Sequence, residues 1–270
     1  ADELFGGYGR IFRSSYDYQR LESGNLNEDL LKNLNVKYKS LSFKSDLDHF
    51  LDQYSYISVF DQKRLFTDDV LNKISNGLNN REFITPLWNR LDSLSYLDKM
   101  IWFFQKVHLQ GLLNRLDTAS MSASVEARVP FVDHRLITFF NKVPSKYKLK
   151  WIDKESKLKA SNLNSDQISE NLDITKYILR ENYKKKLPRS ISTRKKVGFP
   201  VPLSNWLSGP LKKHAQNKLL GDSSRTQLIF KRSGVEKALR DAGQDVKSGL
   251  KVWMMLNLEE WMNIYDINSL

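Results

Sequence analysis

Cysteine is absent from the 270 residues. That excludes a disulfide framework, thiolate metal sites and a cysteine nucleophile, and it fits a reducing compartment. Histidine numbers only four, and without thiolate ligands zinc is not expected. No apolar run approaches the roughly 18 residues that a membrane-spanning helix needs. Internal repeats, low-complexity tracts and long linkers are missing too, so the chain reads as one lobe. The opening Ala-Asp-Glu is not followed by the basic, apolar and cleavage-site order of a signal peptide. With no initiating Met, the sequence reads as a fragment of something longer.

What is present is the composition of a folded protein: 40% hydrophobic, 11% aromatic and 27% charged residues. The formal charge of +12 raises anionic partners such as nucleic acid, a membrane surface or a phosphorylated ligand. Its distribution is uneven. Lys176, Arg180, Lys184, Lys185, Lys186, Arg189, Arg194, Lys195 and Lys196 face a single acid, Glu181, across 21 residues. Such a run is either a solvated face or an anion site. Zinc-finger spacing, an aromatic RNP strand and a KH loop are all lacking, which leaves nucleic acid without a reading element.

The periodicity is helical almost throughout. Leu97, Met100, Ile101, Phe104 and Val107 predict a helix capped by Ser95 and Asp98. Leu250, Met254, Leu258, Trp261 and Tyr265, widened by Trp253 and Leu256, predict a second with that stripe buried. Further helices are expected over about 26–36, 45–57, 66–77, 134–142, 175–186 and 233–242. Three stretches break the pattern: Gly6-Gly7-Tyr8-Gly9, Ala127 to His134 around Pro130, and Leu187 to Pro202. These are the candidate functional loops.

The same stretches carry spaced motifs. Asp2-Glu3-Leu4-Phe5-Gly6-Gly7-Tyr8 resembles the end of the Ser-Gly-Glu-Gly-x-Asp-Glu-x-Phe-Gly-Gly-Tyr motif of glutamine-hydrolysing asparagine synthetases, with its first half lying before Ala1. Arg115-x-Asp117, Ser120-Met121 and Ser124-x-Glu126-x-Arg128-x-Pro130-Phe131-x-Asp133-His134-Arg135 are similar to that family's central signature. Lys176-x-x-Leu179-Arg180, Leu187-Pro188, Arg194-x-Lys196-x-Gly198-Phe199-x-x-Pro202 and Trp206 complete the resemblance, which runs from residue 2 to about 262.

The resemblance implies a mainly α fold: the helical C-terminal lobe of an α/β adenine-nucleotide-hydrolase-like, PP-loop ATP pyrophosphatase domain, with strands few and short across 1–270. It implies ATP and Mg²⁺ as cofactors, aspartate as substrate, an acyl-adenylate intermediate and ammonia from a glutaminase domain. Neither that domain nor a Ser-Gly-Gly-x-Asp-Ser pyrophosphate loop lies in these residues, so the chain alone is expected to be inactive. Apolar surface should then be exposed where the missing half packs, or be covered by a second copy of the chain. A cytoplasmic enzyme with no membrane or nucleic-acid partner is expected. Two alternatives stay open: amidation of a sugar or polysaccharide precursor, and a basic helical module that performs no chemistry.

Adenylation expels pyrophosphate from a highly anionic nucleotide and so needs a metal held by carboxylate and cations at the transferring phosphorus. By resemblance Asp2 is the metal ligand and Lys196 the catalytic cation; alternatively Lys196 is one more solvated charge. Arg194 and Arg180 are candidate phosphate or carboxylate forks. Gly6 and Gly7 let backbone approach a ligand or merely turn the chain. Glu3 is read as helix N-terminal charge. Glu126 is expected to order the site through Arg128 or Arg115, or to form a buried ion pair. Ser120 and Met121, with Ser124, line the adenine and ribose side or end a helix. Asp133 and His134 are read as a helix start. Lys196 is expected to face the same cleft as Asp2 and Glu126, with Lys184, Lys185 and Lys186 turned outward.

Overall fold

The computed structural model describes residues 1–38, 40–75, 80–194, 201–244 and 246–269. In chain order its helices begin with α1 (Asp2–Phe5), α2 (Gly9–Ser23), α3 (Glu28–Lys37), α4 (Asp46–Tyr54), α5 (Val59–Leu65) and α6 (Asp68–Ser75). They continue with α7 (Asn80–Asn89), α8 (Tyr96–Phe103), α9 (Leu109–Met121), α10 (His134–Asn141), α11 (Lys154–Lys159) and α12 (Ser165–Ile168). The last are α13 (Tyr177–Tyr183), α14 (Arg189–Ser192), α15 (Leu203–Ser208), α16 (Lys212–Leu220), α17 (Arg232–Asp241) and α18 (Val246–Ile264). The strands β1 (Leu149–Trp151) and β2 (Asp173–Thr175) pair antiparallel, Lys150 opposite Ile174. Few and short strands are thus found among the described residues, as expected.

Helix starts follow capping chemistry. Asn27 accepts from Leu30 N–H, Ser95 from Asp98 N–H and Asp153 from Ser156 N–H, and Asn164 with Gln167 forms a full capping box. The helix expected over 95–107 is interrupted. A π-turn, Phe104–His108, separates α8 from α9 and widens the coil by one residue per turn.

Contacts divide the chain into two compact units, not the one lobe read from sequence: Ala1–Gln53 with Thr85–Lys196, and Tyr54–Ile84 with Val197–Leu270. No glycine- or proline-rich linker marks the first boundaries. They fall at the end of α4 and inside α7.

In the second unit α18 packs with α15, α16 and α17 around Leu203, Leu207, Ala215, Leu219, Val252 and Met255. The face of α18 differs from the expected stripe. Val252, Met255, Leu256, Glu259 and Met262 are buried, while Trp253, Met254, Trp261 and Tyr265 are exposed. The buried face carries a carboxylate that finds partners: Glu259 accepts from Arg225 N–H at 3.2 Å, Thr226 N–H at 2.8 Å and Ser224 Oγ at 3.1 Å. Burial alone would raise this carboxyl, but those donors and Asn263 hold it below the usual range.

The first unit is built on α2, whose buried stripe is largely polar: Arg13, Ser14, Ser15, Asp17 and Arg20 beside Phe12. Asp17 is fully enclosed. Its Oδ1 accepts from Arg20 Nη2 at 2.7 Å, and its Oδ2 from Tyr38 OH at 2.9 Å, Ser165 N–H at 3.1 Å and Ser165 Oγ at 2.5 Å. Arg20 also donates to the carbonyls of Ala160, Ser161 and Leu163, so α2 holds the turn before α12. The network polarity follows from the inventory of donors. Asp17 accepts, so Tyr38 donates to it. The Tyr38 oxygen then accepts from His49 Nε2–H at 3.0 Å, leaving Nδ1 to accept from Tyr96 OH at 2.6 Å.

Burial, reinforced by the charge of Lys37, pushes the His49 imidazole down to about 3. Around it stand Tyr18, Tyr38, Phe43 and Tyr96. A folded value below the unfolded one of about 6.5 means that the unfolded chain binds the extra proton between those limits; the stability contribution is complete above pH 6.5 and is lost as pH falls toward 3. At pH 5 the loss through His49 is about 2 kcal/mol. His49→Gln keeps a donor and an acceptor but does not titrate. Urea unfolding at pH 7 and pH 5 is expected to show a smaller acid-induced drop in this variant than in the parent chain, and equal drops would overturn the assignment.

Candidate functional site

The first nine residues make one helical turn and a glycine corner. Gly6 ends α1 at φ 74°, in the left-handed region that glycine enters without a Cβ clash. Gly7 is required for a different reason: a Cβ there would overlap the Asp2 carboxylate and the aliphatic chain of Lys176. Asp2 Oδ1 lies 2.8 Å from Lys176 Nζ, each side chain about a quarter exposed. Lys176 itself sits at φ 53° between β2 and α13, a conformation that costs a non-glycine residue about 1–2 kcal/mol. The ion pair is therefore set by two backbone features, a missing Cβ at Gly7 and a left-handed lysine.

Glu3 lies in the first turn of α1, as read from the sequence. Its side chain makes no helix cap but is buried, and Oε1 accepts from Tyr8 OH at 2.7 Å. The Tyr8 ring meets Phe104 and His108 at centroid distances of 5.2 and 5.3 Å, so the π-turn closes over this corner. Burial and the nearby Arg115 hold His108 below its ordinary value, with Glu3 opposing them. Gly6 also lies over the stem of Lys148, a buried lysine whose ammonium burial pushes down.

The other candidates are placed as follows. Arg180 Nε donates to Thr175 O at 3.0 Å, and Nη1 donates to Ser192 O at 3.1 Å and Arg194 O at 3.3 Å. Arg115 donates to its own helix at Gly111 O, and Ser120 Oγ to Asp117 O. Met121 is half exposed. Glu126 pairs with Arg128 at 2.7 Å, both exposed, so the ion pair is a surface one and not a buried one. The two lie on the irregular stretch between α9 and Pro130. Asp133 is a helix start as read: it accepts from Arg135 N–H and guanidinium, which hold its carboxyl well below the usual range. Lys184, Lys185 and Lys186 are exposed. Lys196, Gly198 and Phe199 lie outside the described residues. The structure brings Asp2, Gly7 and Lys176 together, and Arg180 with the Arg194 backbone. It gives Arg115, Ser120, Met121 and Glu126 local contacts.

As a metal ligand set the described residues are incomplete: no group of three or more His, Cys, Asp or Glu is placed to hold an ion, and no helix is long and apolar enough to cross a membrane. Mg²⁺ needs only one or two protein carboxylates beside phosphate oxygens and water. Asp2 fits as one such ligand, its hard oxygen already drawing a cation.

A sequence model of asparagine synthase matches residues 1–263. The chain belongs to the asparagine synthase family. Over 98% of its length it is 27% identical to asparagine synthetase [glutamine-hydrolyzing] 1 of Bacillus subtilis, covering 39% of that protein. It is 27% identical to asparagine synthetase 3 of the same organism over 65% of its length, covering 26% of that protein. It is also 31% identical to the amidase chyE of Penicillium rubens over 48% of its length, covering 17% of that protein. The chain thus spans less than half the length of these relatives. No solved structure matches it. Family membership bears out the resemblance read from the spaced motifs. Lys176, though part of the quoted motif, does not stand out in the sequence, because its left-handed backbone and its partner Asp2 are invisible in a basic run.

Two glycine variants separate the roles. Gly6→Ala strains a left-handed residue and is expected to cost about 1–2 kcal/mol in thermal unfolding. Gly7→Ala meets only the movable ends of Asp2 and Lys176, so Tm should fall by no more than about 4 °C. Acylation of Lys176 by acetic anhydride, read by peptide mass spectrometry, should rise in Gly7→Ala. An unchanged Lys176 would show that Gly7 does not set the pair.

Proposed function

We propose that the chain is the C-terminal part of a synthetase domain that converts aspartate to asparagine in an ATP-dependent ligase. In the reaction envisaged, the aspartate side-chain carboxylate attacks the α-phosphorus of ATP and expels pyrophosphate. Ammonia, supplied from glutamine elsewhere in the protein, then attacks the acyl carbon, AMP leaves and a proton is lost. The observation that carries this reading is the Asp2–Lys176 pair held by Gly7 at the head of a family match over residues 1–263.

Each residue has a stated part. Asp2 holds a cation at the nucleotide, and Mg²⁺ when bound neutralises phosphate charge there. Lys176 and Lys196 supply compact ammonium charges for the departing pyrophosphate. Glu126 pairs with Arg128 and orders the approach to the site.

A second observation supports the partial character of the lobe. Nothing in α9, Pro130–Val132 or α10 is buried, and Leu116, Met121, Val125, Phe131 and Phe139 are exposed along it. The signature residues Ser120, Met121 and Glu126 lie on this stretch. That is the surface expected to meet the pyrophosphate-loop half of the domain, whose Ser-Gly-Gly-x-Asp-Ser stretch does not occur in the 270 residues. On this reading the chain is inactive by itself and acts in the cytoplasm within a longer enzyme.

In the full-length protein Lys196→Ala is expected to lower aspartate-dependent pyrophosphate release by at least about 100-fold while leaving glutamine hydrolysis intact. Lys196→Arg should fail similarly, since a planar fork does not replace a point charge. The isolated 270-residue chain should release no pyrophosphate. Ordinary turnover in Lys196→Ala, or asparagine made by the isolated chain, would falsify the proposal.

A further inference from the structure

The segment before residue 195 holds a single helical turn, α14, in which the carbonyls of Arg189 and Ile191 are taken by the N–H groups of Thr193 and Arg194. Two carbonyls at this end, Ser192 O and Arg194 O, are taken by Arg180 Nη1, at 3.1 and 3.3 Å. The same guanidinium reaches back through Nε to Thr175 O, at 3.0 Å. Thr175 is the last residue of β2 and directly precedes the left-handed Lys176. The backbone N–H of Arg180 also bonds Lys176 O at 2.9 Å. One residue therefore grips both sides of the strained lysine and the end of the basic segment.

This geometry is a poor one for anion recognition. A guanidinium binds a carboxylate or phosphate bidentately along an edge that pairs Nη2 with Nε or with Nη1. Both edges lose one donor to backbone carbonyls here. A cation on backbone carbonyls at a helix C-terminus is instead the arrangement that satisfies orphan acceptors and opposes the negative end of the helix.

We infer that Arg180 is a positioning residue: it clamps the Ser192–Arg194 backbone to Thr175 and Lys176, so that the Lys176 ammonium on Asp2 and the Arg194 side chain stand on one frame. Arg180 touches no substrate. A lysine cannot substitute, because a single ammonium on a flexible stem does not span three carbonyls held in a fork. The catalytic consequence rests on the synthetase reading above; the clamp itself does not.

The test uses full-length protein with Arg180→Lys and Arg180→Ala. Trypsin cleavage after Arg189 and Arg194, followed by mass spectrometry under native conditions, reports the clamp whether or not the enzyme makes asparagine. Both variants are expected to be cut at least about tenfold faster there, since local opening governs native-state cleavage. In the pyrophosphate assay both should lose at least about tenfold in kcat with KM for ATP changed less than about threefold, the signature of misplaced groups and not of lost ground-state binding. If Arg180→Ala fails to fold by circular dichroism, Arg180→Lys carries both arms. Unchanged cleavage overturns the clamp. So does a large rise in KM for ATP in Arg180→Ala that Arg180→Lys restores, which would make Arg180 an anion ligand. Faster cleavage with no asparagine synthesis in the parent enzyme sustains the clamp and overturns only the synthetase reading.

Discussion

A carboxylate sealed from solvent organises the first unit. Asp17 accepts from an arginine, a tyrosine and both donors of a serine, and each of these comes from a different part of the chain. An enclosed carboxylate without those donors would cost several kcal/mol, so the surrounding segments are coupled: losing Arg20 removes the cation 2.7 Å from Asp17, and losing Tyr38 or Ser165 leaves a buried oxygen short of a donor. This is why a helix with so polar a buried stripe is stable at the centre of a unit. Arg13 extends the same logic, its Nε on Asp173 at 2.8 Å and its guanidinium over the Trp151 ring at 4.0 Å, which ties α2 to the two-stranded sheet.

The candidate site borrows its precision from that frame. The corner at Gly6 and Gly7 leads directly into α2, and Lys176 leads out of β2, so both halves of the Asp2–Lys176 pair are anchored by the Asp17 and Asp173 networks. The pair itself is partly exposed and contributes little to stability. Its weight lies in placement. A left-handed lysine and a glycine forced by contact are both local costs, and such costs persist where the surroundings over-determine them.

Much of the helical content was legible because apolar residues recur at helical spacing: the helices expected over 26–36, 134–142 and 233–242 are observed as α3, α10 and α17 within a few residues. The family was legible too, because motif spacing survives at 27% identity. Other features were not. Helix α2 carries no apolar period because, Phe12 and Gly9 apart, its buried residues are Arg, Ser and Asp. The buried face of α18 differs from the expected stripe because apolar residues surround the helix, and the buried face carries Glu259, a carboxylate whose backbone donors sit more than thirty positions away in sequence. The division into two units left no compositional trace, since one boundary runs through a helix. At the site, Asp2 and Gly7 were legible from the motif, whereas Lys176 and Arg180 owe their roles to backbone geometry that side-chain types do not encode.

The discontinuity of the second unit has a consequence for how the protein is made. Residues 54–84 leave the ribosome long before residues 197–270, which complete their core around Leu65, Phe230 and Met255. At synthesis rates of about 5–20 residues per second, the early helices wait roughly ten seconds for their partners. During that interval Leu65 and Phe66 have no core to enter, whereas most of the first unit is emerging and closing. Nascent-chain quality control therefore meets this protein as a first unit interrupted by helices whose core residues still lack their partners, and α18 is the element that ends the exposure.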